Sequence, residues 1–164
     1  MRFVLRPFIK TDLNLRDYLL NKVCSYNELH STLGYSRTEI EIEYEQANNF
    51  SEYIIESNQE EPIGLVRVGS PDHISGVASV QPVLLVNNAD ATSIYFEGFA
   101  HLSASLSNCK DISRMVSFLL TDETEEAEAL CQNGFNLEGV LKHHLYFSGT
   151  YNDLLVFGTL RGDI

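Results

Sequence analysis

The sequence predicts a mixed α/β domain, with a central sheet of about seven strands that is antiparallel at first and carries helices on both faces. Three observations predict it. Between residues 51 and 86, short apolar runs alternate with turn formers, as in a meander of strands. At Asn87 the period changes, and residues 93–106 carry apolar side chains at helical spacing. Near the C-terminus, the strand-like runs 140–147 and 154–160 flank Ser148-Gly149-Thr150-Tyr151-Asn152-Asp153, a hairpin loop rich in turn formers.

The elements follow in order. Residues 3–8 read as a strand ended by Pro7, which has no N–H for a ladder. Residues 11–24 read as a helix, with Asp12 as N-cap and a stripe of Leu13, Leu15, Tyr18, Leu19 and Val23. Residues 39–49 read as a short acidic helix or a loop. Residues 51–57 form the next strand, and Gln59-Glu60-Glu61-Pro62 turns the chain. Residues 63–68 are almost continuously apolar, which places them in the middle of a sheet. Residues 77–86 end in Val83-Leu84-Leu85-Val86, read as buried on both faces. Residues 112–120 are a strand. Residues 122–133 are a helix capped by Asp122, with Glu123, Glu125 and Glu126 where negative charge suits the macrodipole and Gly134 at the left-handed position past its end. The strand–helix–strand unit 83–120 predicts a right-handed parallel crossover.

The bulk numbers bound the function classes. The 164 residues suit a single domain spanning 1–164, and 44% hydrophobic with 21% charged residues is ordinary globular composition. No apolar run approaches the roughly 20 residues that cross a bilayer, and the opening residues show no secretory h-region, so the expectation is a cytoplasmic protein without a membrane partner. Cys24, Cys109 and Cys131 are far apart with no C-x-x-C pair, which argues against a disulfide framework or a metal site and for buried or inert thiols. A formal net charge of −12 disfavours nucleic acid as a partner and favours cationic ones such as amines or basic peptides.

The last third carries a resemblance. Asn133-Gly134-Phe135-Asn136-Leu137-Glu138-Gly139-Val140-Leu141-Lys142 resembles the "GF-x-x-EG-x-x-[RK]" segment of the GNAT-type N-acetyltransferases. Gly149-Thr150-Tyr151-Asn152-Asp153 with Phe157-Gly158-Thr159-Leu160 resembles their "G-x-Y-x-D…L" close, and Phe3-Val4-Leu5-Arg6-Pro7 with Asp12 their "L-x-LRP…D" opening. The likeness is greatest to the ribosomal-protein and aminoglycoside-type subgroup. It implies the GNAT fold and transfer of an acetyl or other acyl group from coenzyme A to a primary amine, on a small molecule or a protein N-terminus. It also implies that the cofactor lies between two splayed parallel strands, with its pyrophosphate on the N–H groups that open the next helix. By position, Val83, Leu84, Val86, Asn88, Ala91, Thr92 and Ser93 are then the cofactor-binding candidates. The backbone N–H of Val83 or Leu84 would hold the oxyanion, since Pro82 has none. The stretch 86–94 departs from the family's loop: it has no glycine, arginine, lysine or glutamine, and Asp90 reads as an N-cap instead.

The catalytic positions depart as well. Where many family members carry a tyrosine that can protonate the leaving thiolate, this chain has Leu130; where they carry an asparagine, it has Glu123. His144 is the candidate base and Tyr151 the candidate from the family's loop tyrosine, with Tyr146 and Asp153 as candidate acceptor-binding residues. By strand alternation His144 shares a face with Val140, Lys142 and Tyr146, and His143 one with Leu141, Leu145 and Phe147. The structural alternatives are hydrogen-bonded histidines and a turn held by Asp153. His101 lies on the helix after the altered loop. Glu39, Glu41, Glu43 and Glu45 could recruit a cationic acceptor, and the run 123–128 reads as a solvated helix face. The altered loop and Leu130 motivate a second reading: a catalytically lapsed domain serving as a binding or assembly module, a homodimer included.

Overall fold

The computed structural model describes residues 3–15, 50–72, 74–86, 88–147 and 149–163. The expectations for residues 16–49, among them Tyr18, Leu19, Val23, Cys24 and the four glutamates from Glu39 to Glu45, lie outside the described residues, as does Asn87.

Seven strands form one sheet: β1 (Phe3–Pro7), β2 (Phe50–Ser57), β3 (Pro62–Gly69), β4 (Val77–Leu84), β5 (Arg114–Leu120), β6 (Asn136–Phe147) and β7 (Thr150–Leu160). Helix α1 (Ala89–Ser107) joins β4 to β5, and α2 (Thr124–Gln132) joins β5 to β6. The spatial order is β1-β2-β3-β4-β5-β7-β6. The meander β1 to β4 is antiparallel throughout, β4 pairs with β5 in parallel, and β7 is antiparallel to both β5 and β6. From β2 onward the order of elements is the expected one.

Alternation sorts the strand residues between two faces. Ile55, Val66, Val80 and Leu84 point to the face covered by α1 and α2, where Tyr95, Phe99, Leu130 and Phe135 complete the main core. Ile54, Leu65 and Val83 point to the other face, covered by Phe8 and by Leu13 and Leu15 of the helical residues 13–15. Pro7 sits on the edge strand β1, where its missing N–H leaves no ladder bond unmade. Gly134 adopts φ 78 past the end of α2, the left-handed conformation glycine reaches most cheaply, and the chain then returns Phe135, 2% exposed, to the core. Among the described residues, no helix is long and apolar enough to cross a membrane.

Four local expectations are corrected. Strand β4 ends at Leu84; Leu85 is half-buried and Val86 is exposed, because the chain leaves the sheet there. Helix α1 starts at Ala89, before residue 93, and its cap is Asn88 and not Asp90. Asn88 is extended (φ −148, ψ 159) and its side chain accepts from the Ala91 N–H at 2.9 Å, while Asp90 falls in the first turn. Helix α2 follows Glu123, not Asp122, and Glu123 makes no side-chain capping bond because its carboxylate turns back to β5. Finally, Cys131 is exposed and Cys109 half-buried, so neither described thiol is buried.

Candidate functional site

The parallel pair β4 and β5 is joined only at its start. Val77 faces Arg114, Ala78 faces Met115 and Ser79 faces Val116. Beyond Ser79 each strand stays paired with its other neighbour, β4 with β3 as far as Leu84 and β5 with β7 as far as Leu120. The two strands therefore diverge toward their C-terminal ends, and the splay exposes one backbone edge of each. The ends of parallel strands at such a break in pairing are where open α/β sheets place ligands.

Strand geometry decides which groups of β4 face the splay. The Leu85 N–H donates to Ile63 of β3 at 2.9 Å, so by alternation Val83 also faces β3. Leu84 faces the other way, into the splay, and so does the nitrogen of Pro82, which carries no hydrogen. The candidate oxyanion donors are thus resolved: the Val83 N–H points away from the splay, and the Leu84 N–H points into it. Leu84 is not free, however. Its N–H donates to Oε1 of Glu126, on α2, at 2.8 Å.

The first turn of α2 reaches both strand ends. Glu126 is 9% exposed and holds β4; Glu123 accepts from the Leu120 N–H at 2.6 Å and holds the end of β5. The expected solvated face fails for Glu126, because positions 126, 129 and 130 form one helical stripe, and Ala129 and Leu130 are both wholly buried. Burial pushes the Glu123 carboxyl up to about 7, helped by the charges of Glu126 and Asp122 and opposed by the Leu120 N–H. Tyr95 of α1 is wholly buried, with a hydroxyl that has no hydrogen-bond partner. Burial, then the charges of Glu126 and Glu123, raise that hydroxyl well above its ordinary value, so it remains a donor at neutral pH.

The raised Glu123 group carries a stability consequence. Its folded value of about 7 lies above the ordinary 4.5, so between these pH values the unfolded chain is ionised while the folded one is protonated. Stability therefore falls as pH rises through that window and then levels off. Glu123→Gln, which keeps an acceptor for the Leu120 N–H, is expected to match the parent protein near pH 4 and to be more stable by roughly 1–2 kcal/mol at pH 8, allowing for partial exposure. Urea unfolding at both pH values checks this; an equal difference at each would show that charge is not the cause.

The other candidates divide into two groups. A cavity of about 490 Å³ gathers Val86, Asn88 and Ala91 with Asp90, Ile94 and the β2–β3 turn around Ser57 to Ile63. It lies on the β3 side of the α1 N-terminus and contains no residue of β5 or α2, so it is separate from the splay. Val83, Leu84, Thr92 and Ser93 do not line it. Thr92 is half-buried and Ser93 exposed on the first turns of α1.

The second group occupies the β6–β7 hairpin. Leu154 is the last β7 residue paired with β5, so residues 150–153 extend past the C-terminal end of β5, at the open end of the splay. There the ladder breaks: Leu141 faces Leu154 and Leu145 faces Asn152, so Lys142, His143 and His144 stand opposite the single residue Asp153. The Asp153 carboxylate secures this bulge. It accepts from the His143 N–H at 2.9 Å and from Lys142 Nζ at 2.6 Å, and these two contacts hold it below the usual carboxylate range. His143 takes a left-handed backbone (φ 51), and its ring lies 6.3 Å from that of Tyr151, which meets Tyr146 edge-on at 5.1 Å. Strict alternation put His143 with Leu141 and Leu145; the bulge instead gathers His143, Tyr146 and Tyr151. His144 is exposed in the same bulge. His101 packs edge-on against Phe3 of β1 at 6.0 Å, away from the splay.

No family model matches the chain, and no curated protein matches it significantly in sequence. Solved structures do match. A spermidine N-acetyltransferase from Vibrio cholerae, in complex with CoA and spermine, superimposes with a TM-score of 0.80 at 19% identity, covering 99% of this chain and 97% of that one. A chimeric form of a Vibrio cholerae spermidine N-acetyltransferase gives 0.79 at 19% identity over 98% and 96%. A Vibrio cholerae spermidine/spermine N-acetyltransferase with manganese ions gives 0.76 at 19% identity over 98% and 93%. With that agreement along the whole length, and with β4 and β5 splayed in parallel between an antiparallel meander and a C-terminal hairpin, the chain has the GNAT acetyltransferase fold.

Proposed function

We propose that residues 1–164 form a single N-acyltransferase domain that moves an acetyl or other short acyl group from a coenzyme A thioester to a primary amine. The observation that carries this reading is the splay between β4 and β5, an open pair of backbone edges suited to an extended, amide-bearing arm. The acceptor classes that fit are a small amine, such as a polyamine, and a protein N-terminus. The net charge of −12 favours a cationic acceptor, and the neighbour bound to CoA and spermine pairs a thioester carrier with such an amine. The sequence resemblance of the C-terminal motif to the ribosomal-protein and aminoglycoside-type subgroup is the reason to include amines on larger molecules in the same screen.

The residues present fit the two halves of the cofactor unequally. The splay suits the arm. The phosphates are poorly provided for: the Ala91 N–H is taken by Asn88, Asp90 adds a carboxylate to the first turn, and residues 86–94 include no lysine or arginine. The chain's own contribution to transfer is chiefly positional. Leu130, wholly buried, has no proton to give, and holding amine and thioester together removes much of the barrier by itself. Tyr151 lies past the end of β5 and meets Tyr146 edge-on; these two, with His144 in the adjacent bulge, are the residues we assign to the incoming amine, while Asp153 is committed to the bulge.

The test is calorimetric titration with acetyl-CoA at moderate salt, followed by a screen of amines for thiol release. Saturable micromolar binding and amine-dependent release are expected. No binding at millimolar cofactor would remove the transferase reading. It would leave the second reading, a lapsed domain that binds a peptide or assembles as a homodimer. That reading is favoured by the internal use of the Leu84 and Ala91 N–H groups.

A further inference from the structure

The β4 edge that faces the splay has one backbone donor near its end. Pro82 removes one position, Val83 faces β3, and Leu84 remains. A carboxylate oxygen from α2 sits on that donor at 2.8 Å. It comes from a glutamate that is 9% exposed on an otherwise apolar stripe, where a charge is costly unless hydrogen-bonded. The wholly buried Tyr95 hydroxyl, unpartnered and within the field of Glu126 and Glu123, adds an unmet donor to the same region.

We propose that Glu126 is a displaceable internal ligand of the splay: its carboxylate oxygen holds the place of a carbonyl oxygen on the Leu84 N–H, and an extended chain bearing an amide or thioester binds by displacing it. The inference rests on the coenzyme A reading and adds to it a residue that sets affinity. Glu126 competes with the arm of the cofactor, not with its phosphates. A charged acceptor makes a stronger hydrogen bond than a neutral carbonyl, so the resting contact opposes binding of any uncharged chain.

The experiment titrates the full chain and two variants, Glu126→Ala and Glu126→Gln, with acetyl-CoA and with adenosine 3′,5′-bisphosphate, which has the phosphates without the arm. The Leu84 amide is followed by NMR. Glu126→Ala, which leaves no side-chain competitor on the Leu84 N–H, is expected to tighten acetyl-CoA by about tenfold. Glu126→Gln, which keeps a weaker acceptor and the side-chain shape, should tighten it several-fold. The bisphosphate should bind all three proteins alike. The Leu84 amide should move on adding acetyl-CoA to the parent protein in the direction that Glu126→Ala moves it. Equal or weaker acetyl-CoA binding by the variants overturns the displacement and leaves the coenzyme A reading standing. Equal tightening of the bisphosphate also overturns it, because general charge would then be the cause. No binding of acetyl-CoA by any of the three proteins overturns both. If Glu126→Ala does not fold, the near-isosteric Glu126→Gln decides in the same terms.

Discussion

Gly64→Ala is expected to destabilise the fold by about 3 kcal/mol, the upper part of the range for forcing extra volume into a packed core. Gly64 lies in β3 directly beneath Tyr95. A Cβ at that position would stand 2.3 Å from Cδ2 and 2.6 Å from Cε2 of the Tyr95 ring, and 3.1 Å from the Val83 carbonyl oxygen. None of these can yield cheaply. Tyr95 is wholly buried and stacks on Phe99 at 6.3 Å, and the Val83 carbonyl belongs to a paired strand. Glycine serves here for lack of a side chain and not for its backbone freedom: it lets α1 lie close on the sheet. Urea unfolding measures the loss, and a variant within about 0.5 kcal/mol of the parent would show that α1 can shift without cost.

The order of strands and helices was legible because each element buries one face, and the repeat of that face is local information. Gly134 and Phe135 illustrate it: a left-handed residue past a helix end, followed by a large apolar side chain, can be read from adjacent letters. The contacts that shape the site are not local. Leu84 and Glu126 are 42 residues apart, and the composition around Glu126 is that of a solvated face. The signal that separates it is spacing, since 126 shares a stripe with Ala129 and Leu130, and a carboxylate on an apolar stripe marks a buried, partnered charge. The histidine faces were misread for a related reason. Alternation assumes an unbroken ladder, and the bulge at Lys142 to His144 depends on a carboxylate from the opposite strand. Asn88 against Asp90 is a closer case: both are good caps, and the choice turns on where the backbone leaves the extended region.

Arg6→Ala is expected to cost about 2–3 kcal/mol, most of it from two carboxylates left in the interior without their cation. The guanidinium forks between them. Arg6 donates to Asp12 at 2.6 and 2.9 Å through its two terminal nitrogens, and to one oxygen of Glu56 at 2.8 and 2.5 Å. Asp12 and Glu56 are each 8% exposed, whereas the Arg6 side chain keeps 28% of its surface, so the cost falls at the lower end for a buried pair. The "LRP…D" opening thus has a structural meaning: its arginine and aspartate tie β1 to the turn after it and, through Glu56, to β2. Burial works against ionisation of Asp12. The Arg6 hydrogen bonds, the Ile9 N–H at 2.9 Å and the Arg6 charge together outweigh it and hold the carboxyl below its ordinary 3.8. The sign of the pH dependence follows. A depressed folded value contributes stability above the unfolded one, near 3.8, and loses it as pH falls through the folded value. Without Arg6, burial raises the Asp12 carboxyl in the variant, so the gap between the parent protein and Arg6→Ala should be full at pH 7 and narrow as pH falls through the variant's raised value toward the parent's depressed one. Arg6→Lys is expected to recover less than half of the loss, because an ammonium cannot fork to two carboxylates in one plane. Denaturant unfolding of the three proteins at pH 7 and pH 3.5 separates this account from one in which Arg6 only packs. In the packing case the gap would not change with pH, and lysine would restore most of the stability.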